Sequence, residues 1–232
     1  MSTPPLERLL RRLNYQFNDI SLAELALTHR SVSSKNNERL EFLGDAILGF
    51  VIADALYRRF PDAQEGALSR LRSSLVKGVT LAEVARELDM GDYLVLGSGE
   101  LKSGGFRRDS ILACALEAMI GAVYLDGGEA PCRALLLRLF ESRLQSSSPD
   151  SVEKDPKTQL QEYLQGLGQP LPEYHLLKVE GEHHEQTFYV ECCAQGLGEA
   201  VQGCGAGRRK AEQQAAKRAL ELLMAPSSAK NS

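Results

Sequence analysis

A polar, serine-rich stretch divides the chain into two parts with different hydrophobic periods. Residues 145–154 (QSSSPDSVEK) carry no periodic apolar residues, which is typical of a linker. Before this stretch the apolar residues recur at helical spacing, whereas after it strand-like segments lie between two helical ones. The sequence therefore predicts an all-α domain at residues 1–145, a linker at 146–154 and a small α+β domain at 155–225.

The two parts differ in the elements that their patterns predict. In the first part we predict long helices at residues 37–60, 65–77, 80–89, 109–125 and 130–144, and no run of strands. In the second part we predict the order α-β-β-β-α, with helices at 157–165 and 208–224 and strands at 174–180, 186–192 and 197–202. About seventy residues suffice for such a domain.

Composition is that of an ordinary globular protein: 43% of the 232 residues are hydrophobic and 25% are charged. The longest apolar run, residues 111–125, is short for a membrane span and contains Glu117, and the N-terminus lacks a signal-peptide pattern. The five cysteines form no Cys-x-x-Cys pair, so we expect reduced thiols rather than disulfides or a zinc site. We therefore expect a cytoplasmic protein with no membrane partner and no small-molecule cofactor.

Three carboxylates share one face of the first long helix. At about 100° per residue, Glu38, Glu41 and Asp45 lie within roughly 60° of one another. The apolar residues predicted on the opposite side are Leu40, Leu43 and Ile47. Like charges this close repel, and a divalent cation such as magnesium would compensate them. A solvated acidic face is the alternative, and the triplet alone favours it.

A fourth carboxylate, Glu117, is the only charged side chain in the apolar segment 110–125. Burying such a group is costly unless it is paired or binds a metal. A buried ion pair with Arg39 or Arg107 is one possibility, and a metal site between two carboxylate-bearing helices is the other. Gly121 lies one turn from Glu117 and would let a helix or a ligand approach closely.

An aromatic residue, Phe42, lies near the carboxylate side of the first long helix and away from its apolar stripe. Such a residue either packs under a neighbouring helix or contacts a partner subunit. The pattern leaves both possibilities open.

Positive charge is concentrated at the start of the last helix, although the chain as a whole has a net charge of −4. Between residues 155 and 226, five of the seven Lys and Arg residues fall within 208–218. Arg208, Arg209 and Lys210 oppose the helix dipole at this position, so the arrangement is favourable only beside an anion such as phosphate. A solvated basic turn is the alternative.

Several segments resemble the ribonuclease III family. The most specific is residues 37–48, NERLEFLGDAIL. Supporting matches are residues 27–31 (LTHRS), 65–66 (EG) with 68–70 (LSR), 96–100 (LGSGE), and 110–113 (SILA) with 117–121 (EAMIG). Residues 155–164 and 208–213 resemble the two ends of a double-stranded-RNA-binding domain. The resemblance covers about residues 6–223 and is closest to the bacterial two-domain type.

The resemblance implies an all-α endonuclease domain followed by a small α+β (α-β-β-β-α) double-stranded-RNA-binding domain. It implies hydrolysis of phosphodiester bonds in double-stranded RNA by a homodimer, with ribosomal-RNA precursors and other structured transcripts as substrates. The implied cofactor is Mg²⁺, with Mn²⁺ as a substitute. The implied catalytic residues are Asp45 and Glu117, and the implied metal ligands are Glu41, Asp45 and Glu117.

Further positions match the family outside this group. Glu38 and Glu65 match acidic residues of its cleavage valley, and Phe42 matches a residue that inserts into the partner subunit. The resemblance assigns RNA 2′-hydroxyl contacts to Thr158, Gln159, Glu162 and His184. It assigns phosphate contacts to Arg208, Arg209 and Lys210.

Cys114 departs from the family pattern, which has an aspartate here that helps to hold metal. A sulfur ligand suits softer cations than magnesium, and a thiol adds no charge; a small buried hydrophobe is the other interpretation. If Cys114 abolishes metal binding, the alternative is a catalytically impaired double-stranded-RNA-binding protein. A second alternative, based on the all-α, carboxylate-rich first part, is a nucleotide pyrophosphohydrolase with an unrelated tail.

Overall fold

The computed structural model of the protein describes residues 6–149, 155–182 and 185–225. The chain forms two compact units, divided between residues 152 and 153. This division falls inside the stretch predicted as the linker, although the last helix of the first unit still includes Ser146.

The first unit is helical over its described residues. Its α-helices are α1 (Leu6–Leu13), α2 (Ile20–Ala26), α3 (Glu38–Arg59), α4 (Glu65–Leu75), α5 (Gly78–Glu87), α6 (Ser98–Lys102), α7 (Asp109–Gly127), α8 (Glu129–Leu139) and α9 (Glu141–Ser146). Short 3₁₀ turns lie at Met90–Tyr93 and Gly105–Arg107. The all-α prediction is confirmed. The short helices α1, α2 and α6 were not predicted, because five to eight residues are too few for a clear helical period.

The prediction of one helix at residues 130–144 is wrong, because the helix is interrupted at Phe140, which separates α8 from α9. The amide of Phe140 donates to the Leu136 carbonyl and its own carbonyl accepts from Leu144, so it ends one helix and begins the next. Its ring is fully buried. Burial of this side chain in the core holds the bend.

Helix α7 is the centre of the first unit and is buried along most of its length, against α2, α3, α5 and α8. By length and composition alone this 19-residue helix could cross a membrane, which corrects the expectation that no apolar segment is long enough. In the fold, 61% of its apolar window is buried inside the protein. A helix at the centre of a protein core can be as long and as apolar as a membrane-spanning helix, so the length and composition of α7 do not distinguish the two.

The face that α3 turns to the core differs from the predicted one. Leu40, Gly44 and Leu48 are buried, whereas Leu43 and Ile47 are only half-buried. The apolar pattern misses this face because its central position, Gly44, has no side chain. The three carboxylates therefore lie beside the α7 contact instead of opposite it.

The second unit places two helices against a three-stranded antiparallel sheet. Its elements are α10 (Pro156–Gly166), β1 (Glu173–Glu180), β2 (Thr187–Cys193), β3 (Val201–Gly205) and α11 (Arg208–Met224), with sheet order β1-β2-β3. The core is formed by Leu160, Leu164, Cys192 and the alanines of α11. The α-β-β-β-α order is confirmed.

The third strand lies at residues 201–205 and not at 197–202 as predicted. Its residue Gly203 pairs with Val190 and lies directly against α11. A Cβ added to Gly203 would lie 2.3 Å from the Ala215 amide nitrogen. The strand is therefore held close to an alanine-rich helix by a glycine, which gives no strand-like signal in the sequence.

Candidate functional site: a carboxylate cleft and a basic groove

The carboxylates come together because α3 and α7 approach at the level of their backbones. A Cβ added to Gly44 would lie 1.7 Å from the Glu117 carbonyl oxygen, and one added to Gly121 would lie 2.3 Å from the Leu40 carbonyl oxygen. Only glycine permits this distance. The prediction that Gly121 admits a neighbouring helix is confirmed, and that helix carries the acidic triplet.

A cleft of about 680 Å³ opens beside this contact. Its walls come from the loop before α3, the first turns of α3 and the first two turns of α7. The lining residues are His29, Arg30, Asn37, Glu38, Glu41, Phe42, Asp45, Ser110, Ile111, Cys114 and Glu117. Four of the five carboxylates singled out in the sequence thus share one cleft.

Three side chains form a compact set of potential ligands within the cleft. One atom each from Glu41, Cys114 and Glu117 lies within 4.8 Å of the others. Asp45 lines the same cleft but lies outside this set, although its charge acts on Glu117. The structure therefore brings Glu41 and Glu117 together, and Cys114, which departs from the family pattern, lies with them.

Glu117 lies in an environment that disfavours its negative charge. Burial, followed by repulsion from Asp45 and Glu41, raises its pKa to about 7. Among the residues that the structure describes, no arginine or lysine forms an ion pair with it, so the pairs considered with Arg39 or Arg107 are not formed. A cation bound in the cleft would supply the compensation that the protein itself lacks.

The Cys114 thiol is held in its neutral form. Burial, hydrogen bonding to Glu41 and the charges of Glu41 and Glu117 raise its pKa to about 12. The side chain is half-buried and faces both carboxylates. The oxygen donors around it fit a hard divalent cation, whereas the neutral thiol itself does not.

Two further predicted residues lie at the rim of the cleft. Glu38 begins α3 and faces Arg30 at 3.5 Å. Phe42 is 80% exposed, so the possibility that it packs under a neighbouring helix is wrong for a single protomer. Its ring is available to another molecule.

Glu65, the remaining acidic residue, does not reach this cleft within one protomer. It begins α4 and accepts a 2.6 Å hydrogen bond from Ser69. With Phe50, Tyr57 and Leu68 it lines a separate hollow of about 330 Å³ further along α3. The sequence motif alone could not separate Glu65 from the other carboxylates.

The loop before α3 contributes cleft residues that the sequence analysis did not single out. His29 and Arg30 belong to the LTHRS segment and line the cleft. Asn37 is 3% exposed and its amide side chain donates to the Ala26 carbonyl. The sequence signal for His29 and Arg30 was the resemblance of the LTHRS segment to the family, and Asn37 opens the motif at residues 37–48.

In the second unit, the N-terminal ends of α10 and α11 form a groove of about 720 Å³. The groove is lined by Asp155, Lys157, Thr158, Gln161, Arg208, Arg209 and Glu212. Thr158, Arg208 and Arg209 were predicted RNA contacts, and the structure places them together. Arg209 is 84% exposed at its side chain.

Acidic residues hold the groove together. Asp155 caps α10 by accepting from the Lys157 amide and also accepts a 2.6 Å hydrogen bond from Gln213. Glu212 pairs with Lys157 at 2.6 Å and with Arg208 at 3.0 Å. The contacts of Asp155 with Gln213 and of Lys157 with Glu212 join the two helices at their N-terminal ends.

The other predicted RNA-binding residues lie on the same two helices without lining the groove, or lie outside the described residues. Gln159 and Glu162 are on α10, Gln159 half-buried and Glu162 exposed. Lys210 is exposed in the first turn of α11. The predicted contact His184 lies outside the described residues.

A helical domain with a carboxylate cleft, joined to a small domain with a basic groove, defines a nuclease with its own RNA-binding module. Residues 19–143 match the family model described as ribonuclease-III-like, and residues 156–223 match the double-stranded RNA binding motif. The chain belongs to the ribonuclease III family, and its function is that of a double-stranded-RNA endonuclease. The alternatives of a pyrophosphohydrolase and of a non-cutting RNA-binding protein are not favoured.

Full-length relatives and a solved structure support this assignment. The chain is 62% identical over 218 residues to Ribonuclease 3 of Shewanella amazonensis, covering 94% of this chain and 96% of that one. It is 59% identical over 221 residues to Ribonuclease 3 of Hahella chejuensis, covering 95% and 98%. A nuclease-domain structure of ribonuclease III from Campylobacter jejuni has 43% identity and a TM-score of 0.59, and covers 60% of this chain and 97% of that domain.

Proposed function

We propose that the protein hydrolyses double-stranded RNA with Mg²⁺ held by Glu41, Asp45 and Glu117, and that Mn²⁺ can substitute. The observation that carries this proposal is the half-buried Glu117, which faces two more carboxylates and has no cationic partner among the described residues. Oxygen ligands of this kind suit magnesium, which retains several of its waters. A metal bound there would activate water and stabilise charge on the phosphate.

In this proposal the fold positions the carboxylate ligands for the metal. The backbone contact at Gly44 and Gly121 fixes the separation of the two carboxylate-bearing helices, so the ligands need no rearrangement to meet. Asp45 and Glu117 come from different helices and are proposed as the catalytic pair. Glu38 extends the negative surface to the cleft rim beside Arg30.

Cys114 gives this proposal a sharp test. Cys114→Asp replaces a neutral thiol beside Glu41 and Glu117 by a hard oxygen ligand, so the cleft should bind magnesium more tightly. The expected result is a roughly tenfold lower Mg²⁺ concentration for half-maximal cutting of a long RNA duplex, which corresponds to about 1.4 kcal/mol. The measurement is a magnesium titration of both proteins on one substrate, repeated with Mn²⁺, which should help the unchanged protein more.

Cys204→Asp is the matched control, because this exposed cysteine lies on β3 of the other unit. It introduces the same charge and should leave the titration unchanged. Identical curves for Cys114→Asp and the unchanged protein would mean that position 114 contributes no ligand. Cutting that needs no divalent cation would contradict the proposed cofactor.

We also propose that the active form is a homodimer joined through the exposed face of α3. Phe42, Phe50 and Tyr57 are 80%, 57% and 72% exposed on this one helix, which is more apolar surface than a solvated helix usually presents. One solved structure of the Campylobacter jejuni nuclease domain concerns structural flexibility in a region involved in dimer formation. The hollow beside Phe50 and Tyr57 could receive an aromatic ring from a second copy.

Such an arrangement would account for the position of Glu65. Phe42 lies at the rim of the carboxylate cleft, whereas Glu65 lines the hollow. If Phe42 of one copy enters the hollow of the other, Glu65 from the second copy approaches the cleft of the first. The acidic valley would then be completed across the dimer.

Phe42→Ala should weaken dimerisation by roughly thirtyfold or more, as loss of a buried aromatic at an interface centre does. The dissociation constant can be measured by sedimentation equilibrium, both on the full chain and on a fragment that ends near residue 150. Val79→Ala is the control, because Val79 is 54% exposed on α5 and outside the proposed face. Equal dissociation constants for Phe42→Ala and the unchanged protein would refute the proposed interface.

In the second unit, we propose that the groove between α10 and α11 binds the duplex. Thr158, Gln159 and Glu162 of α10 would reach 2′-hydroxyls, as would His184, and the basic start of α11 would contact phosphates. The first-turn amides of α11 have no side-chain cap at Gly207, so they remain available to an anion. Arg208 pairs with Glu212 at 3.0 Å, whereas Arg209 lies 3.8 Å from Asp155 and is 84% exposed at its side chain. Arg209 and the exposed Lys210 are therefore the more available charges.

Changing Arg209 and Lys210 together to Ala should weaken duplex binding similarly for all sequences. It should also lower the slope of log affinity against log salt by about 1 to 2, because each phosphate contact releases a counterion. Filter binding at several salt concentrations measures both quantities. Lys178→Ala on β1, where the lysine pairs with Glu180 at 2.7 Å, should change neither. Unchanged affinity in the double variant would mean that Arg208, Arg209 and Lys210 form a solvated basic turn that does not contact RNA.

We propose ribosomal-RNA precursors and other structured transcripts, including messenger and transfer RNAs, as natural substrates in the cytoplasm. Support for this comes from the relatives named Ribonuclease 3, which match along nearly their whole length. A domain that recognises duplex shape more than sequence suits a variety of structured RNAs.

A further inference from the structure

His29 lines the cleft but is not one of its carboxylates, and backbone hydrogen bonds hold the loop that carries it. The amide of His29 donates to the Val95 carbonyl at 3.0 Å, and the preceding residue, Thr28, accepts from the buried Asn37 at 2.9 Å. Val95 in turn donates to the Leu27 carbonyl at 2.9 Å. The loop that carries His29 is thereby fastened both to the segment before α6 and to the start of α3.

Contacts at the Nδ1 atom of His29 determine where its proton lies. The Ser31 backbone N–H donates to Nδ1 at 3.2 Å, and the Ser31 hydroxyl lies 2.8 Å from the same atom. A backbone N–H can only donate, so Nδ1 must present its lone pair. The Ser31 hydroxyl oxygen accepts from the Gly97 amide at 2.8 Å, which leaves its hydrogen free to point to Nδ1 as well.

The neutral imidazole therefore carries its proton on Nε2. This ring borders the carboxylate cleft, while its Nδ1 edge is occupied by Ser31. Of the two histidines that the structure describes, only His175 forms an ion pair with a carboxylate, at 3.6 Å from Glu173. His29 thus offers the cleft an N–H donor that no acidic residue of the described chain has taken.

We propose that His29 donates a hydrogen bond from Nε2 to a phosphate oxygen of the RNA strand at the cut position. The inference rests on the proposed function, since it requires the scissile strand to lie over the carboxylates. An anionic phosphate oxygen is a strong acceptor for such a donor. Because the loop is fastened at several points, the ring is positioned before RNA arrives, and Ser31 is a positioning residue for it.

The first experiment tests whether a hydrogen-bond donor at the Nε2 position of His29 is what cutting requires. Single-turnover cutting is measured on a labelled RNA stem longer than the roughly 16 base pairs that one RNA-binding domain covers. His29→Ala and His29→Asn should cut roughly ten- to hundredfold more slowly, as expected for a lost hydrogen bond to a charged group. His29→Gln can place an amide N–H near the former Nε2 position and should recover much of the rate.

The second experiment identifies the acceptor atom. Each non-bridging oxygen at the cut position is replaced in turn by sulfur, and the rate effect is measured for the unchanged protein and for His29→Ala. If His29 contacts one oxygen, sulfur at that oxygen should slow the unchanged protein but add little to the defect of His29→Ala. A purely structural role would leave the two effects multiplicative at both oxygens.

Duplex affinity without divalent cation and the melting temperature serve as further readouts, with His175→Gln as the matched control. Each should change little in all the His29 variants. Unchanged cutting by His29→Ala, equal loss with Gln and Asn, or multiplicative sulfur effects at both oxygens would overturn the inference. Failure of the unchanged protein to cut the stem would instead refute the proposed function.

Discussion

Glu117→Gln should reduce the rate of duplex cutting by roughly a thousandfold or more while leaving the protein folded. Glutamine preserves the size of the side chain but removes the charge that would hold a divalent cation, and metal stabilisation of the reacting phosphate is worth several kcal/mol. The position suits this test because Glu117 lies with Glu41 in the compact ligand set of the cleft. Asp45→Asn should produce a loss of the same order.

Stability distinguishes a lost ligand from a damaged fold. Burial and the charges of Asp45 and Glu41 disfavour ionised Glu117, and its pKa is accordingly raised to about 7. Removing the charge relieves repulsion, so Glu117→Gln should melt at or above the temperature of the unchanged protein without metal. Glu24→Gln, an exposed change on α2, is the control and should retain full activity. Near-normal cutting by Glu117→Gln would refute the site, and a large fall in melting temperature would assign Glu117 to the fold.

Gly44→Ala should destabilise the first unit by about 3 kcal/mol, at the upper end of the range for overpacking. The added Cβ would lie 1.7 Å from the Glu117 carbonyl oxygen. That atom belongs to the backbone of α7, so the clash cannot be relieved by rotating a side chain, and the helices must separate. Calorimetry should show the melting temperature of this unit lowered by roughly 6–12 °C.

The same change should also impair cutting, because separated helices no longer hold Glu41 and Glu117 together. Gly99→Ala on α6 is the matched control: a Cβ there meets nothing within 4 Å, and alanine favours a helix over glycine. It should melt at or slightly above the normal temperature. If Gly44→Ala melted like this control, the close contact between α3 and α7 would not exist in solution.

Much of the fold follows from local pattern. The helix predicted at residues 208–224 has those bounds in the structure, because alanines at helical spacing continue without a break from Arg208. The α3 prediction differs by one residue at each end, since Pro61 stops the helix. Long elements with a clear period are the ones that sequence describes best.

Glycine accounts for the two clearest errors in packing. The apolar pattern of α3 predicts that Leu43 and Ile47 face the core, yet Gly44 is buried and these two side chains are only half-buried. The third strand begins at Val201 and not at residue 197 as predicted, because Gly203 has no side chain that would contribute to a strand-like apolar pattern. A hydrophobic pattern cannot register a position whose role is to let another backbone approach.

For the site, the sequence indicated the acidic residues but not their grouping. Glu38, Glu41, Asp45 and Glu117 line one cleft, whereas Glu65 lies in another hollow of the same protomer. Local spacing could group the first three, because one helix carries them. It had no information on the distance from α3 to α4 or α7.

By itself, the sequence determined the division into an all-α and an α+β part, the types of the long elements and the presence of carboxylates and basic residues suited to RNA. Those properties depend on local periodicity, charge and composition. Only the tertiary structure decided that Cys114 and Glu117 of α7 meet Glu41 of α3, that no arginine of the described chain pairs with Glu117, and that Ser31 orients His29. Each of these depends on how segments far apart in the chain meet or on the geometry of an irregular loop, which no repeating pattern in the sequence constrains.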